Sequence, residues 1–436
     1  MGTLAIGSLL LLLLFVLLAG GLWIAIALGI VAWAGMFFFT PSPPGLSLFT
    51  AMWSSADSWT LTALPMFIWM GEILFRTQLS SQIFSGLAPW LEWLPGRLMH
   101  VNVIGCGVFG AVSGSSTATC ATIGKVALPE LMRRGYDEKM ALGALCGSGT
   151  LGLLIPPSII MVVYAVAADV SILRMFIAGI LPGVMLMGLF SGAIVVWALL
   201  NPGKTPVHRT RMSFVERVRA TGTLLPSMLL IVFVMVMLLG GFATATEAAT
   251  LGVLGALVLA ALGRSLTRRS FSESVMGAMR MTCMIMFILA ASAFLTVTMG
   301  FTGVPRALAT WVASLNPSPV ALITILCLVY IVLGCFLDGV SMIVLTTSIV
   351  LPMVQQAGFD LIWFGVFIVL LVEIAAITPP VGFNLFVLQS MSGRSSLFVA
   401  RAAIPFFCMM VLACVLITAF PAIVTWLPDQ VMNRSR

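Results

Sequence analysis

Charge is what this sequence has least of. Only 8% of its 436 residues are Asp, Glu, Lys or Arg, against about 25% in a soluble globular protein, so water cannot solvate it on every side. Histidine occurs twice, and His100 and His208 both stand at the edges of apolar runs, which argues against a histidine proton relay. The eight cysteines form no CxxC or Cys/His cluster; set in apolar sequence, they read as small buried hydrophobes, not as disulfides or metal ligands. There is no HExxH, no GxSxG, no P-loop and no paired-Asp motif, so neither an enzyme nor an ATP-driven pump is expected, and no cofactor is called for. No Lys or Arg precedes Arg76. Residues 1–40 therefore lack the basic start of a cleavable signal and are expected to be membrane-embedded.

What is abundant is apolar sequence: 61% of the residues are hydrophobic. The apolar runs fall near 3–38, 61–75, 98–110, 138–168, 174–200, 223–241, 244–263, 276–299, 318–335, 361–390 and 399–426, many long enough for the ~20 residues that cross a hydrocarbon core. The first is too long for one straight crossing and should break at Gly20-Gly21. The fold class expected is an all-α polytopic membrane protein. The net charge of +7 does not point to nucleic acid, because the basic residues gather in loops between apolar runs. The strongest such loop, 202–221, holds Lys204, Arg209, Arg211, Arg217 and Arg219 against Glu216, and marks the cytoplasmic side. After a tight turn at Gly240-Gly241 the chain reaches a second basic stretch, Arg264, Arg268 and Arg269, consistent with two crossings and a return.

The basic loop separates two halves that resemble each other. At a shift of 229, Met70-Gly71 matches Met299-Gly300, Gly105-Cys106 matches Gly334-Cys335, and Gly110 matches Gly339; at a shift of 223, Pro129, Gly135, Asp137 and Pro156-Pro157 match Pro352, Gly358, Asp360 and Pro379-Pro380. The ordered identities argue for an internal duplication, with six extra residues of the first half placed in the polar stretch 111–125. The expected organisation is a first repeat over 1–201 (scaffold and arm 1–100, hairpin and broken helix 101–170, return helix 171–201), a basic cytoplasmic linker over 202–221, and a second repeat over 222–436 (scaffold 222–300, arm 301–317, hairpin and broken helix 318–391, C-terminal helix 392–436). The amphipathic stretches 76–97, with Trp90 and Trp93, and 303–315, with Arg306 and Trp311, suit arm helices in the membrane interface.

Four places break the rule that bilayer-embedded backbone be regular and apolar. In Gly110-Ala111-Val112-Ser113-Gly114-Ser115-Ser116-Thr117-Ala118-Thr119, hydroxyls and glycines between two apolar runs predict a re-entrant hairpin with its tip at 113–117, offering hard oxygen ligands. Its counterpart is Gly334-Cys335-Phe336-Leu337-Asp338-Gly339-Val340-Ser341, followed by Thr346-Thr347-Ser348. An Asp at mid-membrane costs roughly 3 kcal/mol, so Asp338 needs a cation, Lys125 or backbone amides as partner. Two roles are open to it, a cation-linked one and a helix N-cap. The other two places are Gly147-Ser148-Gly149-Thr150-Leu151-Gly152 before Pro156-Pro157, and Ile377-Thr378-Pro379-Pro380 before Gly382 and Asn384. Double prolines remove amide donors and disfavour helix before them, so each run should be two half-helices joined by an unwound link whose ends can face an anion or a cation. Glu72 and Glu373 are expected to be structural, and Glu247 to cap a helix N-terminus.

At these residues the chain resembles the large membrane subunit of the tripartite ATP-independent periplasmic (TRAP) transporters, in its unfused form. The resemblance rests on Phe109-Gly110-Ala111-Val112-Ser113-Gly114-Ser115-Ser116, Gly152-Leu153-Leu154-Ile155-Pro156-Pro157-Ser158-Ile159, Thr246-Glu247-Ala248-Ala249, Phe336-Leu337-Asp338 and Thr378-Pro379-Pro380-Val381-Gly382. It implies an elevator-type fold with inverted repeats, a small four-helix membrane subunit and a periplasmic substrate-binding protein as partners, and sodium-driven import of a small organic anion, usually a carboxylate, across the bacterial inner membrane. On this reading sodium is held at Ser113, Gly114, Ser115, Ser116, Thr117, Gly149, Thr150, Asp338, Gly339, Ser341 and Thr378. The anion is held at Ser116, Thr117, Pro156, Pro157, Pro379, Pro380, Gly382 and Asn384. The alternatives are a stand-alone ion/carboxylate symporter or antiporter, or proton coupling through Glu72, Asp338 or Glu373.

Overall fold

The computed structural model describes residues 2–57, 59–76, 79–206, 213–222, 224–314, 318–334, 337–379 and 382–433. His208, Arg209, Arg211, Cys335, Phe336, Pro380 and Val381 lie outside them. No strand occurs among the described residues. The first half runs α1 (Thr3–Ala19), α2 (Ile24–Phe39), α3 (Pro44–Ala56), α4 (Ala63–Phe75), α5 (Leu79–Leu91), α6 (Met99–Ser113), α7 (Ser116–Arg133), α8 (Glu138–Leu154), α9 (Ile159–Ala167) and α10 (Ile172–Leu200). The linker carries α11 (Phe214–Gly222). The second half runs α12 (Leu225–Leu239), α13 (Ala245–Leu262), α14 (Arg268–Thr302), α15 (Val304–Ser314), α16 (Pro319–Gly334), α17 (Gly339–Gln356), α18 (Leu361–Ala376), α19 (Phe383–Ser392), α20 (Ser396–Ala419) and α21 (Ala422–Asn433).

Glycine sets the punctuation where the sequence calls for it. Gly21 (φ 77°) and Gly241 (φ 68°) take the left-handed conformation that other residues avoid, ending the turns after α1 and α12. Among the described helices α10, α13, α14 and α20 are each long and apolar enough to cross a bilayer, and α8 with α9 form a span bent by 44°. Outer helices present large apolar side chains outward, among them Leu229, Val232 and Val236 on α12 and Ile325, Leu328 and Val332 on α16. A bilayer accepts that surface and water does not; the chain is a multi-pass membrane protein.

Two helices, almost wholly apolar, are buried on every side: α8, from Met140 to Leu154, and α18, from Ile362 to Ala376, the exceptions in polarity being Ser148, Thr150 and Glu373. Such helices belong to an interior. α6, α7, α10 and α20 pack on α8, and α16, α17, α10 and α20 on α18, while α14 packs with α2, α3 and α4 to one side. Close approach to α8 depends on small residues. A side chain at Gly143 would meet the Ala402 carbonyl, at Gly147 the Phe406 side chain, and at Gly149 the Cys120 Cβ. The run that ends in Pro156-Pro157 is two half-helices, as expected, with its break over 155–158; Gly147–Gly152 lie in continuous helix before the break, their glycines serving packing.

The halves agree in local detail at a shift of 223. Gly135 and Gly358 both end a helix with φ near 78° (78° and 79°), and Asp137 and Asp360 both cap the next one, accepting from Met140 N–H and Trp363 N–H. The hairpin tips obey the same shift. Gly114 N–H donates to the Gly110 carbonyl and Leu337 N–H to the Leu333 carbonyl, and Ser115 and Asp338 are the N-caps that follow. The six extra residues therefore do not lie at 111–125. They fall upstream, between the end of α4 and α6, where the first half has the longer arm segment; the identities of Gly105 with Gly334 and Gly110 with Gly339 are not structural equivalences. Helices α5 and α15 occupy the two predicted arm positions. The linker is more than a loop, since α11 packs on α5 and Trp90 Nε1 donates to Thr221 Oγ1 at 2.7 Å.

Candidate functional site

The first hairpin reverses in two residues. Gly114 is left-handed (φ 58°), and a Cβ there would stand 3.2 Å from Ile159 N, so the tip rests directly on the start of α9. Ser115 then caps α7, its Oγ accepting from Ala118 N–H at 3.4 Å. Three oxygens converge below the tip. Ser113 Oγ lies 2.7 Å from Thr119 Oγ1, Thr119 Oγ1 donates to the Ser115 carbonyl at 2.7 Å, and Ser113 Oγ reaches the same carbonyl at 3.3 Å. Clustered neutral oxygens where α6 ends suit a hard monovalent cation, though Ser115 and Thr119 belong to the start of α7.

The second tip has the same plan with a charge in it. Asp338 caps α17, Oδ2 accepting from Val340 N–H at 3.1 Å and Ser341 N–H at 3.3 Å, while Ser341 Oγ donates to Oδ1. Of the partners considered for this carboxylate, backbone amides are the ones the structure supplies. Lys125 is exposed, and no ion pair to Asp338 occurs among the described residues. Gly339 lets α17 start close to α18 and α9: a Cβ there would stand 2.5 Å from Val372 Cγ1 and 2.6 Å from Ile160 Cδ1, so those side chains would have to shift.

The tips face each other across a cavity of about 210 Å³ lined by Gly114, Ser115, Ser116 and Thr117 on one side and Leu337, Asp338, Gly339 and Val340 on the other. Ile159, Ile160, Val372 and Phe383 supply an apolar floor, and Met281, Met284 and Ile285 of α14 close it. The N-termini of α7 and α17 both open into it. A helix N-terminus carries roughly half a unit of positive charge; at α7 the cap is a neutral serine, so that end can face an anion without a basic side chain, whereas at α17 the Asp338 carboxylate already occupies the Val340 and Ser341 amides. Behind the first tip, Ser113 and Ser115 also border a void of about 60 Å³ shared with Gly71 and Glu72.

Not every predicted residue arrives at the cavity. Gly114, Ser115, Ser116, Thr117, Asp338 and Gly339 line it; Ser113 and Ser341 stand just behind as hydrogen-bond partners. Gly149 and Thr150 do not, being inside α8, where Thr150 Oγ1 donates to the Gly147 carbonyl at 2.7 Å. Pro156 and Pro157, joined by a cis peptide bond, are buried in the α8–α9 link and act through its ending, where Ser158 caps α9 and Ile159 reaches the floor. Thr378 Oγ1 donates to the Ile374 carbonyl at 2.6 Å, Pro379 is exposed, and Gly382 N–H returns to the Thr378 carbonyl at 3.1 Å. These make the α18–α19 link and do not line the cavity. Asn384 is buried and its Nδ2 donates to the Cys146 carbonyl at 3.4 Å, tying the two broken helices together instead of facing a substrate. Phe383 and Met281 were not expected at the site, and Thr119 was named only as the end of the polar stretch 110–119. Only Thr119 left a signal there, standing one helical turn after Ser115.

The other intramembrane acids divide. Glu72 pairs with Arg76 at 2.9 Å, and Arg76 also reaches Glu273 at 3.6 Å, fastening α4 to α14. Glu247 forms a capping box with Thr244, as expected. Glu373 is fully buried on α18, against Thr150, Leu153 and Leu154 at the end of α8.

Residues 11–423 match the family described as "Tripartite ATP-independent periplasmic transporter, DctM component". A C4-dicarboxylate TRAP transporter large permease protein of Pseudomonas aeruginosa is 32% identical, over 88% of this chain and 89% of its own length. The Vibrio cholerae protein of the same description is 30% identical over 97% and 98%, and an ectoine/5-hydroxyectoine large permease of Ruegeria pomeroyi 30% over 86% and 87%. Among solved structures, the Alcanivorax borkumensis YdaH transporter matches in fold with a TM-score of 0.60 at 12% identity, over 86% of this chain and 88% of that one. A buried pair of broken helices with opposed hairpin tips, and no enzyme motif in the sequence, accords with these matches: the chain is a transport permease and not an enzyme, and it belongs to the DctM component family of the tripartite ATP-independent periplasmic transporters.

Proposed function

We propose that this chain imports a small organic anion, a carboxylate, across the bacterial inner membrane, driven by sodium. The observation that carries the reading is the cavity between the two tips, with a helix N-terminus opening from each side and polar oxygens confined to its two ends. Its volume, about 210 Å³, is below the ~300 Å³ at which pockets for drug-sized ligands begin, which favours a compact solute. The oxygens of Ser113, Thr119 and the Ser115 carbonyl at one tip, and of Asp338 and Ser341 at the other, are the sodium ligands. The relatives named for C4-dicarboxylates and ectoine support a small charged substrate.

In this reading the repeats are inverted, the α6–α9 and α16–α19 units move together as an elevator against the α2, α4 and α14 scaffold, and a small four-helix subunit and a periplasmic binding protein complete the machine. Purified chain reconstituted with the small subunit into liposomes, and supplied with loaded binding protein, tests it. Uptake should require both the binding protein and an inward sodium gradient. Uptake without the binding protein would make it a stand-alone symporter, and uptake driven by a pH gradient alone would replace sodium with protons.

A further inference from the structure

Arg280 is an exposed guanidinium on α14 with no ion pair to any described residue. It stands about 18 Å along the helix from Arg268 at roughly 1.5 Å per residue, within apolar sequence. Its neighbour in kind, Arg76, is taken up by Glu72 and Glu273; Arg280, about two turns along α14 from Glu273, is not. Arg280 lines a cavity of about 830 Å³ together with Trp23, Cys283, Phe287, Asp338 and Ser341. This cavity lies against the second hairpin tip, and Asp338 borders both it and the space between the tips. Among the described residues of its lining Asp338 is the one acid, and its oxygens are already engaged by two amides and Ser341. An unpaired cation among apolar groups is costly unless a counter-ion visits it.

We propose that Arg280 is an anion-binding residue of the scaffold, holding a carboxylate of the transported molecule in the cavity beside the second tip. The guanidinium fork matches a carboxylate in two parallel hydrogen bonds, and the aromatic and aliphatic walls suit the carbon skeleton between charges. Asp338 and Met284 line both cavities, so the Arg280 site adjoins the space between the tips. This inference rests on the anion-transport reading.

A native probe stands in the same cavity. Cys283 is exposed and three residues along from Arg280, a spacing that puts side chains about 5–6 Å apart on one face. Its labelling by anionic and cationic methanethiosulfonates, read by mass spectrometry of the Cys283 peptide, reports the local potential. One charge at about 6 Å in water changes each rate about threefold, so Arg280→Gln should shift the anionic-to-cationic rate ratio about tenfold toward the cationic reagent. Arg280→Lys should keep the anionic preference. Succinate should protect Cys283 in the wild-type protein and not in Arg280→Gln.

An unchanged ratio in Arg280→Gln, no reaction with either charged reagent, or no protection by succinate would each overturn the proposal. Protection by phosphatidylglycerol in nanodiscs but not by succinate would also overturn it, assigning the site to lipid headgroups. None of these readouts uses a sodium gradient or the binding protein. Failure of wild-type uptake would therefore sink the transport reading while leaving Arg280 to be judged on Cys283.

Discussion

Asparagine at position 338 separates two jobs that one carboxylate performs. Asp338 caps α17 through two backbone amides, and it supplies the negative charge at the second tip. Asn caps a helix about as well as Asp, whereas Ala forfeits about 0.5–2 kcal/mol. Asp338→Asn should therefore leave thermal stability in detergent nearly unchanged, and Asp338→Ala should lower it. The charge is a different quantity. A sodium ion about 4 Å from the carboxylate gains roughly 1 kcal/mol in water and roughly 4 kcal/mol at the effective dielectric of a protein surface. At 1.4 kcal/mol per tenfold, half-saturating sodium should rise by about fivefold to several hundredfold. Both variants should show that rise, and only the Ala variant the stability loss. The assay is sodium-dependent uptake in liposomes over a range of sodium concentrations, beside a melting curve for each protein. An unshifted sodium curve in Asp338→Asn would remove the charge from coupling and leave the residue a cap.

Removing the oxygen cluster of the first tip with Ser113→Ala and Thr119→Val together should raise half-saturating sodium without touching the Ser115 cap; equal sodium curves would show that the cluster only braces the turn. Gly110→Ala should destabilise by about 1–3 kcal/mol, because its Cβ would stand 2.4 Å from Gly152 Cα and 2.8 Å from Gly152 N, backbone that cannot yield without parting α6 from α8; an unaltered melting temperature would refute this packing. Ser115→Asp keeps an N-cap of equal quality but places a second carboxylate on a cavity of about 210 Å³, so the anion KM should rise while the protein melts normally, and an unchanged KM would move the anion elsewhere.

Much of this architecture was legible in the order of residues because the bilayer leaves so few options. Glycine pairs at 20–21 and 240–241 could only be turns, and polar glycine-rich stretches between apolar runs could only be hairpin tips or links. What misled was glycine's second use. Gly147, Gly149 and Gly152 look alike in sequence whether they unwind a helix or let one pass close to another, and the deciding partners, Cys120, Phe406 and Gly110, are remote in the chain. Asn384 misled in the same way. A polar side chain beside a double proline suggests a ligand, but its Nδ2 donates to the Cys146 carbonyl, a contact fixed by how α19 docks on α8, and its Oδ1 is buried outside the cavity lining. The length difference was misplaced because chance identities at Gly105 and Gly110 outvoted the caps, which carry the geometry. Arg280 escaped notice because its meaning depends on what faces it across a cavity.

The two tips share turn position, cap position and register, and differ in one respect that bears on mechanism. The first cap is Ser115 and the second Asp338, at the same shift that aligns Asp137 with Asp360. Helix ends of equal dipole would hold an anion symmetrically, favouring neither tip. A single carboxylate breaks that balance, because without a cation it would repel the anion proposed to enter the cavity. Binding of sodium at the second tip would then do more than occupy a site. It would cancel the one charge that opposes the substrate, making anion binding conditional on the ion. The neutral first tip, held by Ser113 and Thr119 hydroxyls, has no comparable veto. Coupling in this chain is thus expected to be tighter at the Asp338 side, with the scaffold cation at Arg280 next to the place where that repulsion returns when sodium leaves.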